Sequence, residues 1–372
     1  MHDPFPIAPP ALLVPYVERL AEYTSLKTLP LHFHELIFAF TLYHSIFRYI
    51  SPAVSSYLFP RTYAALNART KLSWDVHVVS FCQSTLVCTL ALYVMWHDEE
   101  RSDMNWQGKV WGYTGASGLV QAFAGGYFLW DLVVTARNVS IFGPGMLAHA
   151  ISALFVFSLG FRPFVNFYGP TFILYELSSP FLNIHWFCDK LNMTGTNLQL
   201  YNGIILLGMF FSCRLVWGTY QSLQVGSEVW RAVMTNNITL TDPAFGKLSN
   251  GTLAPDLVPQ AQIMRFAGER VVPHWLAACY LASNFVLNGL NWFWFGKMIE
   301  TLRSRFDPPF GTREPAQRQE KVLVEGTNVS TPNAATTGND VDYVGAVKVE
   351  KHATHLEVEQ LEVKSRTNRR KG

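Results

Sequence analysis

The sequence predicts an all-α polytopic membrane protein, and three observations carry that reading. The 372 residues are 49% hydrophobic and 14% aromatic but only 15% charged, where an ordinary soluble protein carries about 25% charged residues. The charges are also unevenly placed: residues 303–372 hold 12 Lys/Arg and 10 Asp/Glu, which leaves 34 of the 56 for the first 302 residues. Seven stretches stay apolar over the ~20 residues that a bilayer crossing needs. A soluble globular domain is excluded. The net charge of +2, with no basic stripe interleaved with aromatics outside the tail, argues against nucleic-acid binding.

The N-terminal segment, 1–31, opens MHDPFPIAPP, with no basic region ahead of an apolar core. The first hydrophobic helix, 32–50, is therefore expected to direct insertion. Residues 60–73 are polar and basic and are expected to lie along the interface. Further spans follow at 77–96, 112–136, 145–161, 164–187, 199–222 and 274–298, separated by HDEERSD at 97–103, Asn138 to Gly145, Arg162-Pro163, and Asp189 to Asn197. Residues 223–273 read as the one long inter-helix loop. The tail, 303–372, reads as a disordered cytosolic segment, because it is charged and lacks a helical apolar period. The five cysteines are scattered through apolar segments without a C-x-x-C pair, as buried inert thiols. His32 and His34 alone offer too few ligands for a metal site, and none is expected.

Ionisable groups inside the hydrocarbon layer are costly and point to function. They are Asp131, His149, Glu176 and Arg214. His149 lies 14 residues before Pro163 and Glu176 13 after it, so each is roughly 20 Å from the same turn at ~1.5 Å per residue. Counting from the turn before His149 brings Asp131 to a matching level, and Arg214 would reach it only with its full side-chain length. The cluster reads either as buried polar glue between helices or as carboxylates that polarise His149 for base or nucleophilic work. Asn284, Asn288 and Asn291 follow i, i+4, i+7 and share one helix face, as interhelical hydrogen-bonding groups or lipid contacts.

The runs SWDVHVVSFCQSTLV at 73–87, GYFLWDL at 126–132, YELSSPFLNIHWF at 175–187 and LNGLNWFWFGKMI at 287–299 resemble the TLC-domain family over residues 73–300. The resemblance implies a six-helix core, a multi-pass protein of the endoplasmic reticulum and a role concerned with lipids. The family's ceramide synthases carry adjacent histidines followed by a His-Asp and a further Asp. Here the matching positions read Ala148-His149, Tyr175-Glu176 and Ser179, and Gln83 stands where many relatives have a histidine. These departures place the chain nearer the non-synthase TLC-domain-containing branch, which is linked to membrane lipid homeostasis.

The function expected first is lipid homeostasis through a lipid bound or sensed within the bundle, with Asp131, His149, Glu176, Arg214, Asn284 and Asn288 as contacts. Alternatives are an acyltransferase of the ceramide-synthase class using His149, the only case that calls for acyl-CoA as co-substrate, and a chaperone or scaffold for other membrane proteins. No other cofactor is expected; membrane lipids are the expected partners, and the oligomeric state stays open.

Four basic residues (Arg48, Arg61, Arg69, Lys71) follow the first span, against two before it (Arg19, Lys27). That balance predicts the N-terminus outside and the C-terminus inside. The sequons at Asn237 and Asn250 then face the lumen, whereas Asn138 and Asn192 do not. Endoglycosidase treatment should remove mass from Asn237 or Asn250, and glycan found on Asn138 or Asn192 alone would reverse the orientation.

Overall fold

The computed structural model describes residues 1–235, 262–267, 271–304, 321–324 and 327–330. The helices are, in chain order, α1 (Val14–Thr24), α2 (Leu29–Ser45), α3 (Ser51–Leu58), α4 (Pro60–Ala65), α5 (Ala68–His97), α6 (Glu99–Ser102) and α7 (Trp106–Trp111). There follow α8 (Gly115–Arg137), α9 (Val139–Leu159), α10 (Tyr168–Ile173), α11 (Ser179–Lys190), α12 (Asn197–Phe210), α13 (Gly218–Met234) and α14 (His274–Ser304). All seven stretches expected to be apolar spans fall on or overlap helix. Among the described residues, four helical runs are long and apolar enough to cross a membrane: Ala68–His97, Trp106–Arg137, Val139–Leu159 and Asn197–Met234. The protein is a polytopic helical membrane protein.

Helices start where the sequence supplies a cap. The Asn67 side chain accepts from Thr70 N at 2.8 Å to open α5. The Thr114 hydroxyl accepts from Ser117 N to open α8, and Thr196 does the same for Gln199 N at α12. Helix α9 is broken near its start, where Gly143 adopts φ 80° ahead of Pro144. Glycine takes that left-handed conformation without a Cβ penalty, and Pro144 cannot donate to the preceding turn.

Helix α8 is the centre. It has no polar face, and 17 of its 23 residues are buried, the mark of a helix surrounded by protein. Helix α2 lies along one side of it and α9 along another. The approach of α2 depends on small residues, as is usual where helices associate in lipid. A Cβ added at Gly126 would stand 2.7 Å from Leu36 O and 2.7 Å from Ala39 Cβ, whereas one at Gly125 meets nothing closer than Leu36 Cδ1 at 3.6 Å. A second cluster joins α10, α13 and α14 through Tyr168, Val225, Val229, Leu276 and Tyr280.

One expectation is corrected here. The loop expected from 223 begins later, because α13 continues to Met234. Its buried side is a narrow stripe, Val225, Val229 and Ala232, amphipathic rather than continuously apolar, which is why mean hydropathy ends the span early. The tail, 303–372, lies almost wholly outside the described residues; within it Lys321–Val324 (β1) pairs antiparallel with Thr327–Ser330 (β2), in the register Lys321↔Ser330. Asn237 and Asn250 lie outside the described residues.

The glycine contacts yield a matched pair of variants. Gly126→Ala should lower the detergent-solubilised protein's thermal midpoint by several degrees, because backbone rather than a flexible side chain must move. Gly125→Ala should leave it within about one degree. Equal midpoints for the two would show that close α2–α8 approach is not limiting.

Candidate functional site

Two interruptions of α geometry face each other inside the bundle. Between α10 and α11 the chain tightens into a 3₁₀ turn, Leu174–Ser178, immediately before Pro180. Between α12 and α13 it widens into a π turn, Phe211–Trp217. The Tyr175 carbonyl, in the 3₁₀ turn, accepts from side chains of both turns. A single guanidinium spans them. Arg214, in the π turn and 2% exposed, donates from Nε to Tyr175 O and to Ser178 Oγ, both at 3.0 Å. It also donates to Ser179 Oγ at 3.1 Å and to Asn291 Oδ1 at 3.3 Å. The Cys213 thiol points at the same Tyr175 carbonyl at 3.7 Å.

Glu176, in the 3₁₀ turn, completes the node. One carboxylate oxygen lies 3.7 Å from Arg214 Nη2, and the other accepts from Ser179 Oγ at 2.7 Å. Ser179 therefore bridges the ion pair, accepting from Arg214 and donating to Glu176.

His149, Glu176, Arg214, Asn284 and Asn291 line one cavity beside this node. Its remaining wall is aromatic and aliphatic, with Phe128, Phe157 and Phe172 prominent. About 50 Å³ is open to the centres of water-sized spheres, where one water needs ~10–15 Å³. The space suits a small polar group rather than a whole lipid. His149 enters from α9 with its ring edge-on to Trp294, centroids 5.7 Å apart. Its Nδ1 is buried and has no hydrogen-bond partner among the described residues.

The residues singled out from the sequence thus divide. His149, Glu176, Arg214 and Asn284 share the cavity. Asn288 does not line it. Its amide donates to Ser222 Oγ at 2.8 Å and to Asn284 Oδ1 at 3.1 Å, and the Tyr175 hydroxyl donates to it at 3.5 Å, tying α14 to α13 and the 3₁₀ turn. Asp131 also stays outside the lining. It is buried and accepts from Thr135 Oγ1, one turn along its own helix, at 3.4 Å. The backbone carbonyl of Tyr175, with Ser178, was not legible from sequence, because the turn that exposes it has no motif of its own. Asn291 was signalled by the asparagine stripe.

Removing Arg214 leaves Glu176 in a low-dielectric site and frees the Tyr175 carbonyl, so Arg214→Ala should cost roughly 3–5 kcal/mol, the range for one partner lost from a buried pair. Glu176→Gln keeps hydrogen bonding to Ser179 and should cost less. In a double-mutant cycle Arg214→Ala and Glu176→Ala should be sub-additive; strict additivity in unfolding measurements would show that the node is not a unit.

A family model for the TLC domain (TRAM_LAG1_CLN8) matches residues 73–300, a span that contains every residue of this cavity. The chain is 35% identical over 296 residues, 80% of its length and 87% of the relative's, to an uncharacterised TLC domain-containing protein of Schizosaccharomyces pombe. It is 26% identical to topoisomerase I damage affected protein 4 of Saccharomyces cerevisiae, covering 74% of this chain and 86% of that one. It is 30% identical to TLC domain-containing protein 4-B of Danio rerio, over 48% of this chain and 66% of that protein. The chain belongs to the TLC-domain family, among TLC domain-containing proteins rather than ceramide synthases.

Proposed function

We propose that this protein binds the polar end of a membrane lipid in the cavity beside Arg214 and acts thereby in lipid homeostasis, in the endoplasmic reticulum membrane. The observation that carries the reading is the cavity itself: a largely apolar recess with a few polar groups on one wall, and with the His149 Nδ1 buried and without a hydrogen-bond partner among the described residues. A buried polar atom without a partner costs about 1–3 kcal/mol, which a ligand hydroxyl or amide relieves. The Arg214 donors are committed to Tyr175, Ser178, Ser179 and Asn291, and its charge is balanced by Glu176. The recess therefore favours an uncharged polar group over a phosphate. The limited volume takes that group alone, and the hydrocarbon leaves between helices.

Binding is preferred to acyl transfer for a geometric reason. A working histidine base is held by a third group that orients its second nitrogen. Glu176, the carboxylate that would do so, is engaged by Ser179 and Arg214 instead.

A photoactivatable, uncharged lipid analogue added to the protein in nanodiscs should crosslink to peptides of α9 and α14. His149→Ala should cut that yield at least fivefold while leaving the thermal midpoint within about two degrees. Crosslinking unchanged in His149→Ala would overturn the site. An acyl adduct on His149 found by mass spectrometry would favour the transferase reading instead.

A further inference from the structure

A second polar cluster lies apart from the cavity, where the N-terminal segment meets α2 and α8. Two of its members, His32 and Glu35, stand at i and i+3 on α2 and are both 0% exposed. The third, Asp3, arrives from the N-terminal segment. His32 Nδ1 lies 2.8 Å from Glu35 Oε2 and 3.3 Å from Asp3 Oδ2. One ligand atom from each of the three falls within 4.8 Å of the others.

The segment that delivers Asp3 is held on several sides. Phe5 packs edge-on against His34, Phe38 and Phe123 at 5.5–6.0 Å. Gly115 at the start of α8 leaves room for the Asp3 backbone, where a Cβ would stand 2.5 Å from Asp3 N. Asp3 Oδ1 accepts from Phe5 N at 2.9 Å, so it is Oδ2 that turns to the imidazole.

Charge makes the cluster unusual. Two carboxylates converge on one imidazole nitrogen, and among the described residues no Lys or Arg is ion-paired with either of them; the Arg265 guanidinium lies instead over the Tyr113 ring, 5.2 Å from its centroid. The other ring nitrogen, Nε2, is 2.6 Å from the Tyr113 hydroxyl, the kind of outer contact that fixes the orientation of a metal-ligating histidine. Glu35 Oε1 is fully buried and has no hydrogen-bond partner among the described residues, with His34 Nε2 at 3.7 Å. The spacing fits coordination. Ligands ~2.0–2.1 Å from a tetrahedral zinc ion stand roughly 3.3 Å apart; the His32–Asp3 pair is at 3.3 Å, and the His32–Glu35 pair, hydrogen-bonded at 2.8 Å, would open by about 0.5 Å to take the ion. Asp3 is 29% exposed and supplies the route in from solvent.

We propose that Asp3, His32 and Glu35 bind one divalent cation of the zinc class, with solvent in the remaining position, and that the ion pins the N-terminal segment to α2. One nitrogen and two carboxylate oxygens suit borderline divalent metals better than soft thiophilic ones. The site is independent of the lipid-binding cavity and stands whether or not that reading holds.

The test uses the full chain in detergent, stripped with chelator, re-equilibrated with Zn²⁺ alone and desalted. Metal analysis should find about one equivalent in the wild type and less than a quarter of that in Asp3→Asn and Glu35→Gln. Zn²⁺ should raise the wild-type thermal midpoint by several degrees and leave that of Asp3→Asn unmoved. Asp3 lies outside the helices, so this variant is expected to fold even if Glu35→Gln does not. Wild-type protein that retains less than 0.1 equivalent overturns the proposal, as does Asp3→Asn that retains as much as wild type.

Discussion

The guanidinium of Arg214 is the interaction on which the rest of the bundle's interior depends. A helix crossing lipid must satisfy its backbone groups internally, and the 3₁₀ turn at Leu174–Ser178 and the π turn at Phe211–Trp217 both break that pattern. One side chain ties the two turns together by donating to the Tyr175 carbonyl, to Ser178 and Ser179, and to Asn291 on a third helix. The π turn is itself what makes this reach possible, since the extra residue per turn widens the helix at the position Arg214 occupies. The ion pair, the irregular turns and the cavity between them are consequently one feature.

That feature requires a rigid partner, and α8 supplies it. Phe128 of α8 faces the cavity, while Gly118, Gly125 and Gly126 admit α2 on another side. With Ala39 and Ala124 also fully buried, the contact between the two helices is made largely by small residues at close range. In lipid there is no hydrophobic gain from bringing two apolar helices together, so such close packing is the main source of association. The aromatic residues collect elsewhere, as around Tyr127 and Trp130, whose rings stack at 6.0 Å.

Much of this was legible in the sequence because the signals are local. The apolar runs gave the helices, Gly143-Pro144 and Arg162-Pro163 gave breaks, and residue counts from those breaks placed His149 and Glu176 at one depth. What stayed hidden is what depends on rotation or on distant contacts. Asp131 is buried on α8 and hydrogen-bonds within its own helix, a local choice that residue counts do not reveal. The π turn carries no proline between Phe211 and Trp217, so nothing local announces it. The end of α13 was missed because one apolar stripe suffices where Tyr168, Leu276 and Tyr280 cover it. Asp3 joins His32 and Glu35 only through the fold of the N-terminal segment, and His32 beside His34 by itself gives no reason to expect an acidic partner 29 residues away.

The distribution of charge between the two polar clusters separates their chemistry. At the cavity, the positive group is already present: Arg214 neutralises Glu176 and spends its donors on the scaffold, so what remains available is the His149 ring edge and the amide nitrogens of Asn284 and Asn291. Such a surface discriminates by hydrogen bonding and by fit, which a lipid hydroxyl or amide satisfies at little desolvation cost. At the Asp3–His32–Glu35 cluster the balance is reversed. There two carboxylates meet on one imidazole, and among the described residues no guanidinium or ammonium is ion-paired with either, so an added cation or a shared proton offsets their repulsion. Substituting a lysine for His32 would test the logic in reverse, since a fixed positive charge there would occupy the place of the ion while leaving the cavity's own ion pair untouched.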